Sequence, residues 1–549
     1  MVTVVSARTD HGAAAQAGAV RGGGSGAAGG GAAGRAYRDL AALEAPCYVL
    51  RDGAGRVRTS GDPQDVARVV AAGGQVLAAV GPRPATALGD AAFRAAHGVR
   101  YAYMAGAMAN GIASAPMVAA LARAGFLASF GAAGVLPAKV DEALGAIVRD
   151  TAGAPFACNL IHSPSEAALE AATVDACLRH RVTTLEASAF VEPTAQLVRY
   201  RLAGLRRGQD GQILAAHRVI GKVSRSEVAE RFLRPAPEAL VRELVAAGAI
   251  TAEQAELGRA IPLADDLTAE ADSGGHTDRR PLVVLLPELL ALAERLRREQ
   301  GRRAAVRIGA AGGLGTPVAV AAAFALGAAY VVTGSINQAT VEADQSPATK
   351  RLLAATGVAD TTMAPSADMF ELGVEVQVLR RGTLFPGRAR QLHELYRAYD
   401  GVDALPADIR ANLESKVFRR SLDDVWADCV DFFTRRDPDQ ITRAEGDPRR
   451  RMALIFRWYL GRSSGWSIAG DPGRAADYQV WCGPAMGAFN SWVADTYLAE
   501  PGNRRVVDVA THLMTGAAFH ERAAALRAAG TRLPAAATTY LPTPHLPIT

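Results

Sequence analysis

Cysteine pairing is the first thing missing. Five cysteines (Cys47, Cys158, Cys177, Cys429 and Cys482) are spread over 549 residues with no C-x-x-C pair among them. An odd, sparse set of this kind argues against a disulfide framework and a zinc site, and points to reduced thiols in a cytoplasmic protein. Charge of one sign is missing too. Sixty Lys and Arg against 55 Asp and Glu leave a formal net charge of +5, too small a bias for a nucleic-acid partner. Arg8 and Asp10 stand where a secretory signal would have its apolar region, so secretion is not expected. One run, 315–334, carries no charge and is long enough to cross a bilayer. It is mostly alanine, opens with proline and turns β-branched after Gly327, so it reads as a helix and a strand rather than a membrane span.

What is present is bulk and glycine. With 49% apolar residues the chain can bury a barrel-sized core and more besides. A barrel takes roughly 250 residues, so about half the length must be something else. The organising stretch is AAVRIGAAGGLGTPVAVAAAFALGAAYVVTGSINQAT, residues 304–340. Residues 306–310 read as a short strand, and Gly312, Gly313 and Gly315 let the backbone turn sharply and approach a ligand. Thr316 is placed to cap a helix whose first residue is Pro317. That helix ends at Gly327, and 328–332 form the next strand, before Gly334 and Ser335. Adjacent strands ending in glycine turns beside a helix N-terminus make an anion site of backbone N–H groups. In a (β/α)₈ barrel the loops after strands seven and eight are the usual phosphate site. A Rossmann unit competes, but G-x-G-x-x-G is not matched and no acid follows at about 20 residues.

Along the chain, residues 1–36 form a Gly/Ala-rich leader that is expected to be disordered. Residues 37–98 form a small N-terminal domain, with a hairpin in PCYVLRDGAGRVRTSG and a short helix in DPQDVARVVAAG. The barrel is assigned to 99–375, with strands expected at 99–104, 126–130, 155–161, 182–186, 217–224, 261–271, 306–310 and 328–332. Helices between them make the sheet parallel, and eight strands favour closure. After Pro347 long helices without intervening strands are expected, at 388–399, 409–434 and 449–460. A helical domain or lid is assigned to 376–530 and a tail to 531–549.

Barrel enzymes place their chemistry at the C-terminal ends of strands. Met104, Ala105 and Gly106 follow strand one and are small or flexible enough for a flat ring to lie near the backbone. Asn159 in strand three offers an amide that can both donate to and accept from a ring edge. Glu186 ends strand four. Lys222 ends strand five, where a cation would stabilise negative charge on a reduced flavin. His276 follows two glycines after strand six, between Asp272 and Asp278, and is the candidate catalytic residue. No second His or Cys lies at metal-ligand spacing, so no metal is expected. Ser335 lacks a paired His–Asp arrangement and reads as a phosphate ligand rather than a nucleophile. Arginine clusters at 206–207, 380–381, 419–420 and 449–451 read as solvated helix faces, or as docking points for an acidic carrier protein.

The segments YAYMAGAMANGIAS, ADSGGHTDRRPL, AAGGLGTPVAVAAAFALGAAYVVTGSINQ, MFELGVEVQVLRRGTLFPGRA, FRWYLG and WCGPAMGAFN together resemble the PfaD family. These are trans-acting enoyl reductases of polyunsaturated fatty acid and polyketide synthases. The barrel portion also resembles the wider nitronate monooxygenase superfamily. The resemblance implies an FMN-binding TIM barrel that uses NADPH to reduce an enoyl thioester held on an acyl carrier protein. By motif position Met104, Ala105, Asn159, Gly312, Gly313, Gly334 and Ser335 would contact FMN, joined by Gly106 and Lys222 from their places at the rim. His276 would be the catalytic histidine of the Gly-Gly-His turn. A homodimer is compatible with this reading. A nitronate-oxidising flavoenzyme and a flavin-free scaffold of a synthase complex remain the alternatives.

Overall fold

The computed structural model describes residues 32–162 and 167–544. Eight parallel strands close into a barrel. They are β1 (Tyr103–Ala105), β2 (Leu127–Phe130), β3 (Ala157–Ile161) and β4 (Thr184–Ser188). Then follow β5 (Arg218–Val223), β6 (Asp266–Glu270), β7 (Arg307–Ala311) and β8 (Val331–Thr333). Each pairs with its sequence neighbour, and β8 returns to β1 through Val331–Tyr103, Val332–Met104 and Thr333–Ala105. The expected eight-stranded α/β barrel is therefore the observed one.

Successive strand residues point to opposite faces, so alternate side chains fill the barrel and its helical jacket. Met104, Leu127, Ala157, Ile220 and Tyr330 form one buried interior cluster with Phe93. Phe93 belongs to the helix Ala91–His97, which closes the N-terminal end of the barrel and stacks on Tyr330 with ring centroids 4.2 Å apart. At that end Asp266, wholly buried, accepts from His97 Nε2 at 2.8 Å and from Arg307 Nη2 at 2.9 Å. Burial pushes the Asp266 pKa up, but its hydrogen bonds and charge pairing with His97 and Arg307 outweigh this and hold it below the usual value. With this end plugged, the barrel is open for chemistry at the C-terminal ends of its strands.

Three expectations need correction. The leader does not run to residue 36: a helix spans Ala32–Ala41, while residues 1–31 lie outside the described residues. The segment after Pro347 is not purely helical. β9 (Thr361–Pro365) and β10 (Glu375–Leu379) form an antiparallel pair, and Gly275–His276 adds to it as a third, two-residue strand. The helix expected over 409–434 is three pieces, Ala407–Asn412, a π-turn at Leu413–Phe418 and Leu422–Arg436, parted where Arg419 takes φ +56°. A left-handed residue cannot continue a right-handed helix.

The N-terminal hairpin, Cys47–Arg51 with Val57–Ser60, and the helix Pro63–Ala71 are present, and Gln75–Val80 adds a third strand. Among the remaining helices, those that bear on the site are α1 (Pro317–Ala325), α2 (Ala485–Val493) and α3 (Val506–Ala528). α3 packs on α1, and its fully buried Arg522 donates to the carbonyls of Ala42 and Ala45 at 2.7 and 3.0 Å. Of the C-terminal tail, Tyr540 packs back on α3, its hydroxyl 2.9 Å from His512 Nδ1. Among the described residues no helix is long and apolar enough to cross a membrane.

Candidate active site

The glycine turns after β7 and β8 lie side by side on one rim, because Ala310 pairs with Val331 and Ala311 with Val332. Gly312 and Gly313 take φ +89° and +73°, a region that L side chains avoid. A Cβ on Gly312 would meet the Ala271 carbonyl carbon at 2.6 Å, so this turn is pressed against the end of β6. Around Gly313 and Gly334, by contrast, an added Cβ would meet nothing within 4 Å. Neither of their amides donates a backbone hydrogen bond among the described residues. Thr316 caps α1 by accepting from the Ala319 N–H at 3.3 Å, as its spacing to Pro317 requires. An open recess with amide donors and a helix N-terminus at its edge suits a phosphate.

The C-terminal half supplies the wall of this recess. Ser335 Oγ accepts from the Gly483 N–H at 3.0 Å, which leaves its own proton to donate. A Cβ on Gly315 would lie 2.1 Å from the Ala485 carbonyl oxygen, and one on Gly274 would lie 2.9 Å from the Cys482 Cα. The segment 481–485 is thus fitted backbone to backbone against the turns after β6 and β7.

Inside the mouth two sets of polar side chains lie near each other, Asn159 with Glu186 and Ser188, and Lys222 with Glu270. Asn159 gives both amide hydrogens away, to the Glu186 carbonyl at 3.1 Å and Ser188 Oγ at 3.0 Å. The donor half of the role expected for it is therefore taken, and only its oxygen is left for a ring edge. Gly106 donates to the Thr333 carbonyl at 3.0 Å, tying the turn after β1 to β8. Met104 is buried in the interior cluster and Ala105 faces the jacket core. Glu186 is 1% exposed; its Oε2 accepts from the Ala107 N–H at 3.0 Å and its Oε1 has no partner among the described residues. An unpartnered buried oxygen is costly unless something else bonds it. Lys222 pairs with Glu270 at 2.9 Å. Burial lowers the Lys222 pKa, but the carboxylates of Glu270 and Glu186 more than reverse this and keep the ammonium charged.

His276 is brought over the same mouth by its pairing with Val376 on β10. Its Nε2 lies 3.2 Å from Asp368 Oδ1 and 3.4 Å from Ser366 Oγ, and the Ser366 hydroxyl bonds the same carboxylate oxygen. An ionised carboxylate only accepts, so Nε2 carries a proton and Nδ1 is the ring position left for a substrate. The side chain is 41% exposed although protein surrounds much of the ring. Burial pushes its pKa down; Asp368, with help from Glu270 and against Lys222, raises it above that of an ordinary histidine. Asp368 is correspondingly held well below the usual carboxylate range: burial opposes its ionisation, and the bonds from His276 and Ser366 outweigh that. Gln377, beside them on β10, donates to Asp272 Oδ1 at 2.9 Å and to the Ser273 carbonyl at 2.8 Å, pinning the loop that carries His276.

The structure thus brings together Gly312, Gly313, Gly334 and Ser335 on one side, and Gly106, Asn159, Lys222 and His276 around the mouth. Sequence reasoning passed over Ser366, Asp368, Gln377 and the 481–485 wall. Gln377 and the 481–485 wall lay within the segments MFELGVEVQVL and WCGPAMGAFN, whereas Ser366 and Asp368 stand just before the first of these and carried no signal of their own. The arginine clusters are mostly paired. Arg206–Arg207 lie on a strand, not a helix, and Arg381, Arg420, Arg449 and Arg451 meet Asp360, Asp428, Asp400 and Asp423.

A closed parallel barrel with open glycine turns after its last two strands and a histidine over the same rim defines an α/β-barrel architecture with its candidate site at the C-terminal ends of the strands. The family model of nitronate monooxygenase matches residues 92–410, and that of the inserted helical domain of [acyl-carrier-protein] S-malonyltransferase matches 399–478. The enoyl reductase domain of MlnA from the macrolactin biosynthesis cluster of Bacillus amyloliquefaciens superposes with a TM-score of 0.77 at 37% identity, covering 80% of this chain and all of that one. A polyunsaturated fatty acid synthase polypeptide of Thraustochytrium sp. is 46% identical over 497 residues, 89% of this chain and 33% of that protein. Polyketide biosynthesis protein PksE of Bacillus subtilis is 45% identical over 441 residues, 80% of this chain and 57% of that protein. The chain belongs to the nitronate monooxygenase family of flavin-dependent oxidoreductases, in its PfaD branch of enoyl reductases. It spans 33% and 57% of the length of those two curated relatives.

Proposed function

We propose that this chain reduces the α,β double bond of an enoyl thioester carried on an acyl carrier protein, with FMN as cofactor and NADPH as reductant, in polyketide or polyunsaturated fatty acid synthesis. The observation that carries this reading is the open recess at Gly313 and Gly334 on the same rim as a histidine held by a carboxylate. The residues fit FMN: the recess accepts a phosphate, and the unpartnered Glu186 Oε1 is a buried acceptor near Gly106 within the mouth. Amides of Gly312, Gly313 and Gly334 and the Ser335 hydroxyl would hold the phosphate, with the backbone of Met104, Ala105 and Gly106 and the side chains of Asn159 and Lys222 around the ring. When bound, FMN supplies a hydride carrier between the nicotinamide and the enoyl substrate.

The chain's own groups do the rest. Lys222 places a fixed cation where negative charge gathers, at no reorganisation cost during the reaction. His276 offers a proton from Nδ1, either as a hydrogen-bond donor to the thioester oxygen or to the α-carbon. The segment 481–485 and the turns it covers narrow water's access to the recess.

The test is an absorption spectrum of the purified protein followed by anaerobic NADPH. Flavin bands that bleach with NADPH and return with an enoyl thioester are the expected result. A protein that stays colourless after incubation with FMN would favour the scaffold reading, and rapid aerobic turnover of alkyl nitronates without NADPH the oxidase reading.

Carrier docking is assigned to the helical half, whose 399–478 portion matches a domain of an acyl-carrier-protein-dependent transferase. Its exposed ion pairs are weak and can exchange partners for a carrier's acidic surface. Raising salt is therefore expected to raise KM for carrier-bound substrate while leaving KM for a pantetheine-bound one unchanged. Equal responses of the two would exclude charge-steered docking.

A further inference from the structure

We infer that Asp368, with Ser366, is the positioning residue that keeps His276 as an imidazolium and so commits the site to delivering a proton rather than removing one. The inference rests on the enoyl-reduction reading and adds to it the part of the chain that sets the direction of proton transfer. That part lies outside the barrel, in the connection between β9 and β10.

The geometry isolates this pair. Among the described residues the charged groups that act most on the His276 ring are Asp368 from the β9–β10 connection, Glu270 from β6 and Lys222 from β5. Glu270 is neutralised by Lys222 at 2.9 Å, so these two largely cancel at the ring. The other acids of the His276 loop are engaged elsewhere, Asp272 by Gln377 and Asp278 by Arg225. Asp368 is the group in direct hydrogen-bond contact, and the hydroxyl of the buried Ser366 turns its carboxylate toward the ring. The β10 pairing at Val376 fixes the distance between the two elements.

Reducing the carbon–carbon double bond adds one hydride at the β-carbon and one proton at the α-carbon. The π bond breaks, the charge that has moved onto the thioester oxygen returns to carbon, and a new α C–H bond forms with the proton leaving Nδ1. Water then reprotonates the exposed ring. An imidazolium performs this step. A neutral imidazole, which is the form that would pull a proton from an acidic carbon, does not.

Asp368→Asn keeps the shape and removes the charge; Asp368→Glu restores the charge. The protonation of His276 is read directly by its rate of carbethoxylation against pH, followed by peptide mass spectrometry, because only the neutral ring reacts. A raised folded-state pKa means the donor form is complete at low pH and lost as pH rises through that value. Asp368→Asn is therefore expected to move the His276 midpoint to lower pH. The basic limb of enoyl reduction should move with it, and Asp368→Glu should partly restore both. An unmoved midpoint overturns the inference, and so does a moved midpoint with an unmoved basic limb. A wild-type enzyme that reduces no enoyl thioester overturns the functional reading instead, and the carbethoxylation profile still decides the role of Asp368.

Discussion

Gly334→Asp is expected to purify without flavin yet melt close to the wild type. Gly334 has φ −128°, outside the left-handed region, and a Cβ there meets nothing within 4 Å, so no clash accompanies the change. The new carboxylate would sit in the recess assigned to the FMN phosphate. Two like charges about 4 Å apart repel by on the order of 4 kcal/mol at the effective dielectric of a protein surface. That corresponds to roughly a thousandfold loss of affinity. Gly334→Ala adds only a methyl group and should retain the cofactor. Flavin content by absorbance, with a melting curve for each variant, separates the cases. A Gly334→Asp protein as yellow as the wild type would remove the phosphate from this recess.

The second large effect belongs to His276→Ala. The His276 side chain is 41% exposed, and its Nε2 partner Asp368 is itself half open to water, so Asp368 can be rehydrated when the ring is removed. Stability and flavin content should therefore hold. Enoyl reduction should fall by ~10²–10³, the usual cost of losing one donor at developing negative charge. Reduction of the enzyme by NADPH should be little changed, since that half of the cycle needs no proton at the α-carbon. Stopped-flow measurement of the two half-reactions distinguishes them, and an undiminished enoyl step rules out a role for His276 in it.

The barrel was legible because its signals are local. Most of the strands are short, largely apolar runs bounded by turn residues, and the recess is spelled out by Gly312, Gly313, Thr316 and Pro317 within six residues. What escaped is non-local. His276 and Asp368 are 92 positions apart, and nothing in either neighbourhood announces the other. Lys222 and Glu186 could each be placed at the end of a strand, yet their grouping with Glu270 depends on the register of a closed sheet. The break at Arg419 is opaque for another reason: the left-handed turn there is taken by an arginine, without the glycine that usually marks it. The β9–β10 pair was hidden among long helices, although GVEVQVL alternates apolar and polar residues as a strand should.

The seams at Gly315–Ala485 and Gly274–Cys482 bear on how such enzymes can be recombined. Backbone meets backbone there with no side chain between to absorb a misfit. A chimaera that joined this barrel to a foreign C-terminal half would inherit a misaligned loop unless both glycines found a neighbour of the same contour. The two halves are thus better regarded as co-adapted pieces of one catalytic body than as exchangeable modules.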